Sequence, residues 1–184
     1  SPSTTAVLDP LATDVAMLQY TSGSTGDAKG VMLTHGNLDH QIRAGCVSMR
    51  VNADSTFVHW LPQYHDFGLI CCSIGGALVG LHVVQMSPLT FINNPNVWLK
   101  AVSTYKATHI FGPDFGYAYS VRKTTVADRE RLDLSSVLVA GSSAEPIREK
   151  TLIDFRAAFG FDGNGGCGGG GGEKVSGGQL RPDA

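Results

Sequence analysis

The sequence lacks the features that mark membrane-spanning and nucleic-acid-binding proteins. Its apolar stretch 74–84 is broken by glycines and a histidine, so no segment reaches the roughly 20 apolar residues that span a bilayer. A formal net charge of -2 gives no electrostatic reason to expect binding to nucleic acid or to an anionic membrane. The sequence does not start with a basic segment followed by an apolar one. We therefore expect a cytoplasmic protein with neither a nucleic-acid partner nor a membrane span.

Cysteines are also few, and their spacing suits neither a metal site nor a disulfide framework. The 4 cysteines stand at positions 46, 71, 72 and 167 without a C-x-x-C pair. Neighbours such as Cys71 and Cys72 rarely bridge each other, because disulfide geometry opposes it. We expect reduced thiols without a metal or catalytic role. With 184 residues, 42% of them hydrophobic, the chain is long enough to bury one core, and we expect one globular unit.

Short apolar runs alternate with helical patterns along the first 160 residues. Strand-like runs, each bounded by turn residues, lie at 15–20, 56–61, 81–86, 108–112 and 137–141. Apolar residues at helical spacing predict two helices, over about 38–49 and 98–105, and a third from Pro146 to a stop at Gly160. This alternation predicts an α/β fold with a mainly parallel sheet flanked by helices.

The segment YTSGSTGDAKG, residues 20–30, carries phosphate-binding chemistry. Its glycines let backbone N–H groups approach an anion, its hydroxyl residues donate hydrogen bonds, and Lys29 supplies a positive charge. A mobile Ser/Gly surface loop is the structural alternative. Because Lys29 is followed by Gly30 and the strand-like residues 31–33, the segment differs from the Walker pattern, in which a helix follows the lysine. We therefore expect it to join two strands.

Residues 20–37, YTSGSTGDAKGVMLTHGN, resemble the phosphate-loop signature of the adenylate-forming superfamily of acyl-CoA synthetases, luciferases and peptide-synthetase adenylation domains. The resemblance implies that residues 1–160 are a fragment of the N-terminal domain of that fold, and that ATP and Mg²⁺ are its cofactors. It assigns Lys29 a catalytic role. Nucleotide-binding roles are implied for Thr21, Ser22, Gly23, Ser24, Thr25, Gly26 and Lys29.

Residues 59–70, HWLPQYHDFGLI, are similar to a segment of fatty-acyl-AMP ligases and of polyketide-synthase loading domains that lines the acyl and nucleotide sites. The similarity implies that His65 is a catalytic and substrate-binding residue near the substrate carboxylate. It implies that Asp66 binds substrate as well, and that Asp66 either orients His65 or caps the next helix. A purely structural histidine is the alternative.

Two further segments resemble the same ligases. Residues 108–123, THIFGPDFGYAYSVRK, resemble a strand, loop and helix that line the acyl tunnel, which implies substrate contacts for Phe111 and Phe115. Ordinary core packing is the alternative, and Asp114 stands where a neutral residue is expected. Residues 132–147, LDLSSVLVAGSSAEPI, resemble the strand and turn that face adenine, with a simple helix start as the alternative. Nucleotide-binding roles are implied there for Ser142, Ser143, Ala144, Glu145 and Pro146.

Residues 161–184 are dominated by glycine and predict an irregular tail, with a flexible linker as the default interpretation. Ligases of this family usually have Tyr-Gly-x-x-Glu here, whose aromatic residue stacks on adenine and whose acidic residue helps to hold Mg²⁺. This sequence has CGGGGGEKVSGG instead. Glu173 is the candidate metal ligand, although it lies closer to the following VSGG than the family pattern places its acidic residue.

The resemblance implies ATP-dependent activation of a carboxylic acid, in the first place a fatty acid, to acyl-AMP with release of pyrophosphate. An acyl-carrier protein is the expected acceptor. An acyl-CoA synthetase, an amino-acid-activating domain and a catalytically dead nucleotide-binding or interaction module remain alternatives. Enzymes of this family continue for several hundred residues and take a catalytic lysine from a further domain. We therefore expect this chain alone to bind nucleotide weakly and to be unable to complete adenylation efficiently.

Overall fold

The computed structural model describes residues 9–21, 29–162 and 166–167. The strands are β1 (Val15–Thr21), β2 (Lys29–Thr34), β3 (Thr56–His59), β4 (His82–Gln85), β5 (His109–Gly112), β6 (Val139–Ser142), β7 (Phe161–Asp162) and β8 (Gly166–Cys167). The helices are α1 (His35–Ser48), α2 (Gly75–Val79), α3 (Pro88–Asn93), α4 (Asn96–Thr104), α5 (Asp114–Lys123), α6 (Val126–Arg129) and α7 (Glu149–Phe159), with a π-helix over Phe67–Ile74.

The chain forms two compact units, Ser1–Asn52 and Ala53–Ala184. The expectation of one globular unit is therefore wrong, because β1 and β2 form a sheet of their own.

In the first unit, β1 and β2 pair in antiparallel fashion, and Thr21 lies opposite Lys29 at the open end of the pair. The strand predicted for residues 31–33 is confirmed, so the phosphate-loop segment joins two strands. α1 then begins where Thr34 and Asn37 form a capping box. The Thr34 hydroxyl accepts from the Asn37 N–H at 3.1 Å, and the Asn37 side chain accepts from the Thr34 N–H at 3.1 Å.

A four-stranded parallel sheet in the order β4-β3-β5-β6 forms the centre of the second unit. In its register, Val58 of β3 lies between Val84 of β4 and Ile110 of β5. The four strand-like runs predicted in this part of the sequence overlap these four strands. The predicted α/β class with a mainly parallel sheet flanked by helices is confirmed.

Helices cover both faces of this sheet. On one face, Val58 and Ile110 belong to a buried cluster with residues of α4, α5 and α7. On the other face, Phe111 meets Phe67 of the π-helix, with ring centroids 6.0 Å apart. Alternate residues of a strand point to opposite faces, and in the two central strands, β3 and β5, both sets of residues are buried. This burial explains why β3 and β5 have apolar residues at consecutive positions, Phe57–Val58 and Ile110–Phe111.

The last long helix, α7, begins three residues later than predicted. Residues 146–148 precede it, and Arg148 is its N-cap with an extended backbone at ψ 125. The Arg148 N–H donates to the Asp114 carboxylate at 3.0 Å, and this contact holds the residue outside the helix. The predicted stop is confirmed, because Gly160 ends α7 in the left-handed conformation at φ 74.

Within the described ranges, none of the helices combines the length and the apolarity that a membrane crossing requires. After α7, Phe161–Asp162 pairs with Gly166–Cys167 in a short antiparallel ladder. The rest of the predicted tail lies outside the described residues. The division into residues 1–160 and a tail at 161–184 stays a prediction.

Candidate functional site

A pocket of about 380 Å³ lies at the carboxyl-terminal edge of the parallel sheet in the second unit. All four strands lead into it: Trp60 follows β3, Pro88 follows β4, Pro113 follows β5 and Ala144 follows β6. Open α/β sheets bind their ligands in the crevice beyond this edge. The other residues that line the pocket are Leu61, Pro62, Tyr64, His65, Phe67, Ile92, Phe115 and Glu145.

The indole of Trp60 forms one wall of the pocket and is only 3% exposed. It stacks on Phe91 with ring centroids 3.8 Å apart and meets Phe115 edge-on at 5.6 Å. Gly116 permits this close packing, because a Cβ at that position would lie 2.5 Å from Cζ2 of the indole. Among the described residues, Trp60 Nε1 has no hydrogen-bond acceptor. Ring packing therefore holds the indole in place, and a buried donor stays unpaired.

His65 and Asp66 stand where the chain turns into the π-helix. His65 Nδ1 lies 2.8 Å from Asp66 Oδ1, and the Phe67 N–H donates to that same oxygen at 2.7 Å. Asp66 thus makes both of the contacts expected for it, because it touches the imidazole and caps the helix. The Phe67 N–H also donates to His65 Nδ1 at 3.2 Å. When Nδ1 accepts this bond, the neutral imidazole carries its proton at Nε2 and can donate from there. The His65 side chain is 49% exposed and lines the pocket.

The turn after β6 forms a second wall and contains a strained residue. Ala144 has a left-handed backbone at φ 72, a conformation that a residue with a Cβ rarely adopts. The next residue, Glu145, accepts a hydrogen bond from the Phe115 N–H through Oε1 at 2.6 Å. Glu145 therefore caps the first turn of α5. Backbone strain of this kind is concentrated at ligand sites and in switch regions, where the surroundings hold it in place.

Asp114 lies behind this wall and is fully buried. Its carboxylate accepts from Arg148 Nε at 2.7 Å and from the Thr151 hydroxyl at 3.2 Å, besides the Arg148 N–H. Burial raises the pKa of the Asp114 carboxyl, but the hydrogen bonds from Arg148 and Thr151 outweigh it and hold this pKa below its usual range. The carboxylate that replaces the expected neutral residue thus links the start of α5 to the start of α7.

His59, at the end of β3, is a second buried side chain whose polar atoms have no partner among the described residues. His59 is fully buried, and neither ring nitrogen has a partner in the part of the chain that the structure describes. Burial disfavours the charged imidazole and lowers the pKa of His59 to about 4. His59 is therefore neutral at pH 7, one residue before the pocket wall at Trp60.

The pocket brings together four of the residues that sequence comparison assigned to ligands, namely His65, Phe115, Ala144 and Glu145. Phe111 is not among the lining residues and is buried on the sheet face beside Phe67. The remaining assigned residues of this unit, Asp66, Ser142, Ser143 and Pro146, are sequence neighbours of lining residues but do not line the pocket themselves. Their ligand roles stay predictions.

In the first unit, Thr21 ends β1 and Lys29 begins β2. Ser22, Gly23, Ser24, Thr25 and Gly26 lie outside the described residues, and so does Glu173. Within the described ranges, no three His, Cys, Asp or Glu side chains are grouped so that they could hold a metal ion. The assignments of phosphate and Mg²⁺ ligands stay predictions.

Trp60, Pro88 and Ile92 line the pocket but were not individually predicted as site residues. The signal for the first two was present, because Trp60 lies near the end of the strand-like run 56–61 and Pro88 lies two residues after the run 81–86. The ends of parallel strands meet at one edge of the sheet. Ile92 lies in the short helix α3, which was not predicted, so no pattern in the sequence pointed to it.

Comparison with known proteins agrees with this architecture. A family model described as AMP-binding enzyme matches residues 2–170. The medium-chain-fatty-acid–[acyl-carrier-protein] ligase JamA of Moorena producens is 43% identical over 145 residues, which cover 79% of this chain and 24% of that protein. The long-chain-fatty-acid–AMP ligase FadD26 of Mycobacterium marinum is 32% identical over 164 residues, which cover 86% of this chain and 28% of that one.

Among solved structures, the fatty acyl-adenylate ligase from Legionella pneumophila in complex with acyl adenylate and pyrophosphate is 41% identical, with a TM-score of 0.78. The match covers 84% of this chain and 28% of that one. The chain thus spans about a quarter of the length of these relatives. Its parallel sheet corresponds to part of the N-terminal domain of the adenylate-forming ligase fold. Because the family model matches nearly the whole sequence, the chain belongs to the family of AMP-binding enzymes.

Proposed function

We propose that this chain is part of an ATP-dependent ligase that activates a fatty acid as its acyl-AMP. The observation that carries the proposal is the pocket at the carboxyl-terminal sheet edge, where apolar walls meet His65 and the Ala144–Glu145 turn. A structure that is 41% identical to this chain has been determined with acyl adenylate and pyrophosphate bound. Apolar walls with a few placed polar groups suit a ligand that has an alkyl part and a polar head.

In the proposed reaction, an oxygen of the fatty-acid carboxylate attacks the α-phosphorus of ATP. The new oxygen–phosphorus bond gives the acyl-AMP, while the bond from the α-phosphorus to the bridging oxygen breaks and pyrophosphate leaves with the electron pair. No side chain has to act as a nucleophile or form a covalent intermediate. Catalysis therefore consists of positioning the two substrates and stabilising the charge that develops between them.

The pocket residues divide these tasks. The aromatic wall of Trp60 and Phe115 excludes water and packs against the acyl part of the substrate. His65 sits by the incoming carboxylate and can donate a hydrogen bond to it when the imidazole is protonated at Nε2. The turn over residues 142–146 presents its backbone and the Glu145 side chain to the nucleotide.

The phosphate-loop segment handles the rest of ATP in this proposal. Backbone and hydroxyl groups of residues 21–26 bind the β- and γ-phosphates, and Lys29 neutralises part of their charge. Mg²⁺ supplies further neutralisation at the phosphate oxygens when it is bound, and Glu173 is its proposed ligand. The acceptor that we propose for the acyl group is the phosphopantetheine of an acyl-carrier protein, since the relative JamA is named as a medium-chain-fatty-acid–[acyl-carrier-protein] ligase.

Acid-dependent exchange of labelled pyrophosphate into ATP tests the proposal in the full-length protein. Exchange should depend on a fatty acid, and both His65→Ala and Lys29→Ala should reduce it. The matched control is His40→Ala, which removes an exposed histidine from α1. If only amino acids stimulated the exchange, the substrate would be an amino acid and not a fatty acid. An absence of exchange with every acid, in a protein that also fails to bind Mg-ATP, would favour a non-catalytic module.

A further inference from the structure

The first turns of α5 and α7 are each capped by a carboxylate from the region where the other helix begins. Glu145, in the turn before α7, accepts from the Phe115 N–H of α5 at 2.6 Å. Asp114, at the start of α5, accepts from the N–H of Arg148, the N-cap of α7, at 3.0 Å. Both contacts place a negative charge at a helix N-terminus, where it is favourable. The two capping contacts are therefore reciprocal, and they tie the start of α5 to the connection between β6 and α7.

Asp114 makes the larger share of these contacts. Beyond the Arg148 N–H, its second oxygen accepts from Arg148 Nε at 2.7 Å and lies 2.5 Å from Nη2 of the same side chain. The Thr151 hydroxyl adds a further bond at 3.2 Å. The Arg148 side chain is 65% exposed, so solvent screens its charge, and the pair contributes chiefly through the fixed geometry of these bonds.

Neither Asp114 nor Arg148 lines the pocket, but the residues between and beside them do. Ala144, Glu145 and Phe115 all line it, and Ala144 is held in the left-handed conformation that alanine disfavours. A strained turn persists only where its surroundings determine it. The position of this turn is fixed at both ends, because β6 precedes it and the Asp114–Arg148 pair holds the residue that follows it.

We propose that Asp114 and Arg148 are positioning residues that fix the pocket wall of Ala144, Glu145 and Phe115 in the shape that binds the adenylate. The geometry stands on its own, whereas the identity of the ligand rests on the proposed function. Neither residue touches the substrate. The pair acts by keeping the turn before α7 against the first turn of α5.

Two readouts on this chain test the inference. The first needs no ligand: the indole N–H resonance of Trp60, which packs on Phe115, reports the shape of the wall. Trp98 serves as the internal reference, because its Nε1 donates to the Val58 carbonyl at 3.2 Å in the core. The second is calorimetric binding of a non-hydrolysable acyl-AMP mimic. The variants are Asp114→Asn, Arg148→Ala and, as matched control, Asp133→Asn, which breaks the ion pair with Lys106.

Asp114→Asn should shift the Trp60 resonance and weaken binding of the mimic about tenfold, which corresponds to about 1.4 kcal/mol. Arg148→Ala keeps the backbone bond and should have a smaller effect in the same direction. It also carries the test if Asp114→Asn does not fold. Asp133→Asn should leave both readouts unchanged. An equal loss of affinity for the mimic in Asp133→Asn would overturn the inference. Wild-type affinity in folded Asp114→Asn and Arg148→Ala would overturn it as well. If the wild type does not bind the mimic, the proposed function fails for this chain, and the Trp60 shift alone decides whether the pair positions the wall.

Discussion

Replacing Gly68 with alanine should force the π-helix away from the turn that precedes it. A Cβ at Gly68 would lie 2.3 Å from the Pro62 carbonyl oxygen and 3.0 Å from that of Leu61. Both neighbours are backbone atoms, so no flexible side chain can move aside. Overpacking a well-filled site costs about 1–3 kcal/mol, and the rigid neighbours place Gly68→Ala near about 3 kcal/mol.

This loss should appear as a lower midpoint of thermal unfolding, followed by circular dichroism. For a chain of this size, about 3 kcal/mol corresponds to a decrease of roughly 6–12 °C. Gly45→Ala in α1 is the matched control, because its Cβ would meet only Met49 Cε at an ordinary 3.6 Å. That control should be neutral or stabilising by up to about 1 kcal/mol, since alanine favours a helix interior. If Gly68→Ala unfolded within about 2 °C of the wild type, the close approach of the π-helix to Pro62 would be refuted.

Two further predictions concern stability near the pocket. Lowering the pH from 7 to 5 should reduce the free energy of unfolding by about 2 kcal/mol through His59, because the imidazole of the unfolded chain binds a proton with its usual pKa of about 6.5 while burial holds the folded pKa at about 4. His59→Leu should flatten this dependence in urea titrations across that range, and an unchanged slope would contradict it. Ala144→Gly should raise the melting temperature by about 2–4 °C, because glycine adopts the left-handed conformation at φ 72 without the cost of about 1 kcal/mol that alanine bears. A lower melting temperature would show that Ala144 is not strained.

Much of the fold could be predicted because its elements carry local signals. The strands of the parallel sheet are short apolar runs between turn residues, and α1 and α4 lie where helical spacing predicted them. The link between β1 and β2 followed from the residues after Lys29, which favour a strand. Local patterns of this kind survive in the folded chain because tertiary packing agrees with them.

The π-helix could not be predicted because its sequence, FGLICCSI, is apolar except for Ser73. Such a run has no polar face from which a helical period could be read, and it resembles a buried strand just as well. α3 is six residues long and too short for a period to appear. These two elements supply Phe67 and Ile92 to the pocket. The resemblance of residues 59–70 included Phe67, whereas no pattern in the sequence pointed to Ile92.

The start of α7 was misplaced for a different reason. Pro146 is a common first helical residue, and local reasoning favoured it. The structure instead assigns the N-cap to Arg148, whose N–H bonds a carboxylate 34 residues earlier in the chain. Local sequence patterns cannot predict a contact between residues so far apart in the chain, so the link between Asp114 and the Glu145 turn was not foreseen. The only signal was the charge of Asp114, where a neutral residue was expected.

Calorimetric binding of a non-hydrolysable acyl-AMP mimic shows whether this chain carries an adenylate site. Wild type, Lys29→Ala, His65→Ala and the His40→Ala control would be compared in the same buffer with Mg²⁺. We expect saturable binding by the wild type and the control, with both site substitutions weakening it. No binding by a demonstrably folded wild type, or equal binding by all four proteins, would mean that the chain does not carry this site.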